Sequence, residues 1–265
     1  MLQLKTDKIQ AQVEDGIGWL TFNNPERHNA MSLEMWQATG DVLEAFQSDP
    51  AVRVVVLKGA GGKAFVSGAD ISQFDKVRSN ADQAKEYARI SDWGRDWLVK
   101  FDKPLIAMIQ GFCIGGGLAI ALSADVRFAT RGSRMGITAA KLGLGYAYAP
   151  LTMLARLVGP SSARDIMFTG RLLESDEALR IGLINFEVTP EELEKRVRDY
   201  AAIIANNAPL TIKASKAGIG AFERYSVAMG SREIDAMIDA CFNSEDYAEG
   251  RKAFGEKRKP QFKGR

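Results

Sequence analysis

Polar and apolar residues alternate through Lys8–Val13, and again through Ile17–Phe22 beyond the turn formers Glu14-Asp15-Gly16, which predicts a β-hairpin. Asn23–Arg27 reads as a loop, and Ser32 as the N-cap of a helix carrying Leu33, Trp36, Leu43 and Phe46 on one face. Val52–Leu57 is apolar and β-branched almost throughout, the pattern of a strand buried on both faces. Pro104 precedes a second such run, Leu105–Ile109, and Val126–Thr130 reads as a third strand. Between these runs the chain predicts a glycine loop at Gly59–Gly62, a short helix through Phe74 and a longer helix over Asp82–Val99. A turn from Gly111 to Gly117 then leads into a short helix, Leu118–Leu122. Pro150 suits a first helical position, with Leu151, Leu154 and Val158 as that helix's apolar face. Ser175 predicts a cap for Asp176–Ile181, stopped by Gly182, and Ile184–Val188 reads as one more strand. Pro190–Asn206, Leu210–Tyr225 and Ala228–Phe242 have amphipathic helical spacing, and the tail Lys257–Pro260 is basic. Strand–loop–helix units followed by helices predict an α/β core with a helical C-terminal appendage.

Composition narrows the function classes. The 265 residues suit one large domain, or one domain with an appendage. Thirty-five Lys and Arg against 33 Asp and Glu leave a net charge of +2, which gives no electrostatic footprint for nucleic acid or a membrane surface. No apolar run approaches the ~20 residues that span a bilayer; the longest candidate, Leu105–Ala124, is broken by Gly111 and Gly115–Gly117. Met1–Asp7 lacks the apolar core and cleavage site of a signal peptide. Cys113 and Cys241 are far apart and in no CxxC pattern, which argues against a disulfide scaffold or a zinc site and fits a reducing cytosol. His28 is the single histidine, so any Ser-His-Asp triad would depend on it.

Two glycine-containing loops follow two buried strands: Val55–Gly62 leading to Ser67-Gly68-Ala69-Asp70, and Ile109–Gly117. Glycine lets a backbone approach a ligand closely, and N–H groups at a helix start have no intrahelical partner. Two of them converging on one point make an oxyanion hole. The competing reading is tight strand–helix packing that leaves no room for a Cβ. Gly59-x-Gly61-x-x-Ala64 also resembles a dinucleotide fingerprint, but that motif needs a helix to open at once and Phe65-Val66-Ser67-Gly68 does not provide one.

Phe22–Met31 resembles the N-terminal signature of the crotonase (enoyl-CoA hydratase/isomerase) superfamily. Gly59–Phe74 is similar to its second block and Lys103–Ala129 to its third. Arg156–Gly159, Gly170–Val188 and Glu245–Phe254 fit as well, so the resemblance runs from about residue 8 to the C-terminus with its motifs in order. It implies an α/β fold, a crotonase-like spiral of ββα units over residues 1–195, with a helical trimerisation region over 196–265. It further implies a homotrimer or hexamer acting on an acyl-CoA thioester, with no cofactor beyond the coenzyme A of the substrate; composition adds the expectations of a cytoplasmic location, no metal, and no nucleic-acid or membrane partner. The thioester oxygen would sit between the N–H groups of Ala69 and Gly116. Substrate contacts map to Arg27, Ala30, Ser67, Gly68, Asp70, Ile71, Ser72, Gly115 and Thr138, and Phe254 and Lys257 map to positions that reach a neighbouring subunit's CoA. His28 maps to the CoA-side loop, as a loop side chain rather than a base, and Asp70 as a cap for a helix starting at residue 71.

The chain departs from this pattern where the chemistry should be. The two glutamates of the family's hydratases map to Ala119 and Ala139, and the second of these also serves its simple isomerases. The aspartate of dienoyl isomerases and aromatic dehalogenases maps to Ala147. General acid–base groups contribute about 10²–10⁴-fold, so weak hydration is expected. The remaining side chains are hydroxyls: Thr138, Tyr146 and Tyr148. Tyr146 aligns with a tyrosine of the family's decarboxylases, although these can carry a histidine where this chain has Ala69. Two readings of Tyr146 stand side by side: a catalytic donor to a substrate carboxylate, or a pocket-lining aromatic. Two alternatives stand beside an enolate-stabilising enzyme: an enoyl-CoA hydratase/isomerase of fatty-acid or aromatic-acid degradation with its acids recruited from elsewhere, and a non-catalytic acyl-CoA-binding subunit.

Overall fold

In the computed structural model, described over residues 4–70, 81–142, 146, 148–224, 240, 243–256 and 258–265, the strands form two sheets. The hairpin forms as β1 (Ile9–Glu14) and β2 (Ile17–Phe22), followed by α1 (Leu33–Ser48), whose N-cap Ser32 accepts from Met35 N–H at 3.4 Å. Three successive units then repeat one plan. They are β3 (Val54–Gly59), β4 (Ala64–Val66) and α2 (Ala81–Lys100); β5 (Leu105–Ile109), β6 (Phe112–Ile114) and α3 (Gly116–Leu122); and β7 (Val126–Thr130), β8 (Arg134–Gly136) and α4 (Tyr148–Thr169). The chain continues through β9 (Leu173–Glu174), α5 (Ser175–Arg180), β10 (Phe186–Val188), α6 (Leu193–Ala205), α7 (Pro209–Arg224) and α8 (Glu245–Gly255).

Each unit gives its first strand to a large sheet, β1-β2-β3-β5-β7-β10, and its second to a small sheet, β4-β6-β8-β9. Pairing is parallel except for β1 with β2 and β8 with β9. This is the spiral of ββα turns. The unbroken apolar runs are explained by burial on both faces: Val55 and Leu57 face one core, while Val54 and Val56 face a second one. That second core is closed by Leu193, Val197 and Ala201 of α6, which therefore lies on the outer face of the large sheet. No described helix is long and apolar enough to cross a membrane.

Several expectations need correction. The resemblance implies a second strand in each unit, but the residue pattern does not show them: Phe112–Ile114 is a strand within the expected Gly111–Gly117 turn, and Ala64–Val66 and Arg134–Gly136 are strands too. Three residues are too few for an alternation to register. Pro150 is the third residue of α4 rather than the first, still within the turn whose N–H groups lack intrahelical partners, and Gly159 (φ 78°) kinks that helix ahead of Pro160. Ser175 is the first residue of α5, not its cap; its hydroxyl instead accepts from Gly132 N–H at 3.0 Å and donates to Glu187. The expected helices through Phe74 and over Ala228–Phe242 lie outside the described residues, Ala240 excepted.

Candidate active site

The site grows from three short parallel strands. Registers Val66↔Cys113 and Ile114↔Gly136 set β4, β6 and β8 side by side, so their carboxyl ends release three neighbouring loops: Ser67–Asp70, Gly115–Gly117 and Ile137–Ala139. Gly117 is where α3 presses on β4. A Cβ there would stand 1.9 Å from the Val66 carbonyl oxygen, so only glycine lets the helix start in this place. Gly115 N–H donates to Gly136 carbonyl at 2.8 Å, which ties the second loop to the third.

Gly116 is the first residue of α3, where an N–H has no partner in the helix. A Cβ on Gly116 would lie 3.8 Å from Gly68 Cα and 3.9 Å from Ala69 N, so the two peptide groups are neighbours across the loops. Asp70 N–H is engaged by Met31 carbonyl at 3.0 Å. Among the described residues, neither Ala69 N–H nor Gly116 N–H has an acceptor. Ala69 is exposed and Gly116 half-buried. Two adjacent N–H groups held by sheet and helix can stabilise one oxygen as negative charge grows on it.

The loop after β2 is clamped onto the same ground. Ser67 N–H donates to His28 carbonyl at 3.1 Å, Ser67 Oγ to Arg27 carbonyl at 3.4 Å, and Met31 N–H to Gly68 carbonyl at 2.8 Å. Arg27 and His28 are exposed and Ala30 is half-buried, so this loop forms an open rim beside Ala69. His28 lies edge-on to Phe112 with ring centroids 6.3 Å apart, a loop side chain as expected. Its organiser is Asn29, which the sequence reading missed. Asn29 is fully buried with φ 56°; its Nδ2 donates to Ala60 carbonyl at 3.0 Å and Ala64 carbonyl at 2.8 Å, and its Oδ1 accepts from Asn24 N–H at 2.8 Å. The available signal was an asparagine in a turn, the side chain that best tolerates left-handed backbone.

The walls carry little acid–base chemistry. Ala119 is half-buried on α3, and Ala139 is buried in the main core at 5% exposure. Thr138 is half-buried and its carbonyl accepts from Lys141 N–H at 3.0 Å. Tyr146 is brought to the site: its hydroxyl donates to Gly115 carbonyl at 3.2 Å, and burial pushes the phenol up to about 12. Tyr148 is not, standing 81% exposed at the start of α4. Cys113 is buried, and desolvation pushes its thiol well above the usual range. Asp70 is half-buried; Ile71, Ser72, Lys257 and the side chain of Phe254 lie outside the described residues, and with them the helix that Asp70 was expected to cap. Among the described residues no group of three His, Cys, Asp or Glu could hold a metal.

A spiral α/β fold sets two backbone N–H groups without acceptors among the described residues at the ends of adjacent strands. The comparisons show which family carries this fold. Residues 12–265 match the family described as "Enoyl-CoA hydratase/isomerase". The "Short-chain-enoyl-CoA hydratase" of Clostridium acetobutylicum is 33% identical over 263 residues, 99% of this chain and 100% of that protein. The "(E)-benzylidenesuccinyl-CoA hydratase" of Thauera aromatica is 32% identical, covering 97% of this chain and 99% of that one. A solved enoyl-CoA hydratase/carnithine racemase from Magnetospirillum magneticum superposes with a TM-score of 0.90 at 36% identity, over 98% of this chain and 97% of its own. An enoyl-CoA hydratase/isomerase family protein from Hyphomonas neptunium superposes with a TM-score of 0.92 at 33% identity, over 99% and 100%. The chain belongs to the enoyl-CoA hydratase/isomerase family, the crotonase superfamily of acyl-CoA-processing enzymes.

Proposed function

We propose that this protein binds an acyl-CoA thioester with the carbonyl oxygen on Ala69 and Gly116 N–H, stabilises the enolate formed there, and works without a hydratase's pair of carboxylates. The observation that carries this reading is the neighbouring pair of unpartnered N–H groups, Ala69 and Gly116, in a chain that has Ala119 and Ala139 where the family's hydratases carry glutamates. A methyl cannot position water or move its proton. The chemistry this favours is loss of carbon dioxide from a malonyl-type thioester. The bond from Cα to the carboxylate breaks, its electron pair becomes the enolate held by the two N–H groups, carbon dioxide leaves, and a proton from water completes the product. No base is needed, and a nearby carboxylate would repel the substrate.

Coenzyme A enters as part of the substrate, along the rim of Arg27, Ala30, Ser67 and Asp70. The exposed apolar residues Ile203 of α6 and Ile219 and Phe222 of α7 support self-association as a trimer or hexamer, read by light scattering. Hydration is the second reading, favoured by relatives named short-chain-enoyl-CoA and crotonyl-CoA hydratase. The test is carbon dioxide release from methylmalonyl-CoA beside hydration of crotonyl-CoA. Release with little hydration supports the proposal. Hydration near the usual enzyme median of ~10 s⁻¹ would overturn it, and turnover of neither would favour a binding subunit.

A further inference from the structure

Gly115 carbonyl and Gly116 N–H belong to one peptide group, and in a planar trans peptide they point in opposite directions. Whatever holds the carbonyl on one side therefore aims the N–H on the other. Two donors hold it: Ala119 N–H at 3.1 Å, the first hydrogen bond of α3, and Tyr146 Oη at 3.2 Å. Sterics do little here. Gly115 sits at φ 57° and ψ −114°, and nothing lies within 4 Å of where its Cβ would be. The helix that supplies the other donor is only seven residues long. Tyr146 has a single proton to donate, and this carbonyl takes it.

We infer that Tyr146 is a positioning residue for the oxyanion site: its hydroxyl holds and polarises the peptide whose N–H, on Gly116, receives the thioester oxygen. This rests on the acyl-CoA reading above and replaces the expected role of Tyr146 as a donor to the substrate. A hydrogen bond to an amide carbonyl draws electron density from the amide nitrogen, and so strengthens the N–H as a donor. Tyr146 packs its ring against the main core while its tip makes this bond, so it anchors a glycine-rich loop to the rigid part of the fold.

The test is infrared difference spectroscopy of acetyl-CoA carrying ¹³C at the thioester carbonyl, bound to wild type and to Tyr146→Phe. Acetyl-CoA has no carboxylate for Tyr146 to contact, so a substrate-donor role would leave its spectrum unchanged by the substitution. The wild type should lower the carbonyl stretch relative to acetyl-CoA in water. Tyr146→Phe should recover part of that shift, bind free CoA as the wild type does, and lose about 2- to 10-fold in turnover of methylmalonyl-CoA, the worth of one hydrogen bond. Incorporation of 3-fluorotyrosine at 146, a stronger donor of nearly equal size, should enlarge the shift, which keeps the test open if the phenylalanine variant folds poorly. Equal shifts in wild type and both variants would overturn the role of Tyr146 and leave the acyl-CoA reading standing. No shift in the wild type would overturn the acyl-CoA reading itself.

Discussion

On the proposed reading, replacing Gly116 with proline removes one of the two N–H donors to the thioester oxygen and little else. Gly116 is the first residue of α3, the helical position that proline tolerates best because its N–H is not used by the helix. There is room for the new Cβ, whose nearest neighbours would be Gly68 Cα and C at 3.8 Å, ordinary van der Waals contact. The pyrrolidine ring also puts carbon on the nitrogen where the thioester oxygen would sit. Loss of one such donor costs about 2.7–4 kcal/mol of transition-state stabilisation, or about 10²–10³ in kcat. The assay is carbon dioxide release from methylmalonyl-CoA, with thermal unfolding and free-CoA affinity measured on the same samples. The expected result is a hundredfold or greater loss of kcat (order of magnitude) with CoA binding and melting temperature nearly kept. A folded variant that turns over at the wild-type rate would refute the placement of the oxyanion site.

Gly117→Ala should destabilise the fold rather than the chemistry, because its Cβ would stand 1.9 Å from the Val66 carbonyl oxygen; a melting temperature equal to wild type would contradict the packing of α3 on β4. Asn29→Ala leaves Asn24 N–H and the Ala60 and Ala64 carbonyls without their partner and should cost at least about 2 kcal/mol in urea unfolding. Ala119→Glu with Ala139→Glu should raise crotonyl-CoA hydration above wild type while lowering the melting temperature, since the second carboxylate enters a site only 5% exposed. Tyr146 titrates at about 12 in the folded protein, against about 10 in an unfolded chain. The native state therefore holds that proton more tightly, and the associated stability is present below about pH 10 and lost between about 10 and 12. Tyr146→Phe should flatten that part of the alkaline unfolding profile.

The large sheet was legible because its strands are long and buried on both faces; Leu105–Ile109 and Val126–Thr130 have the expected bounds. The small sheet was not, because its strands have two or three residues and no period to detect. The two glycine loops at the ends of β4 and β6 were nonetheless legible, since Gly68 (φ 117°) and Gly115 (φ 57°) mark left-handed backbone and Gly117 marks a close approach of helix to strand. Packing against backbone and open N–H groups turned out to coexist: Gly117 serves the first and Gly116 the second. The partner of Tyr146 could not be read, because its acceptor is a backbone carbonyl 31 positions away in the chain, and backbone carbonyls leave no mark in sequence. The same holds for Asn29, two of whose acceptors are carbonyls brought close only by the folding of β3 and β4.

Where a thioester oxygen binds is the decisive question, and a crystal structure with a non-reactive acyl-CoA analogue measures it directly. The expected result is that oxygen within about 2.7–3.1 Å of both Ala69 N and Gly116 N, with the methyl groups of Ala119 and Ala139 facing the acyl chain and no carboxylate in hydrogen-bond reach of its Cα or Cβ. An oxygen bound elsewhere, or a carboxylate from another part of the chain poised over Cβ, would contradict it.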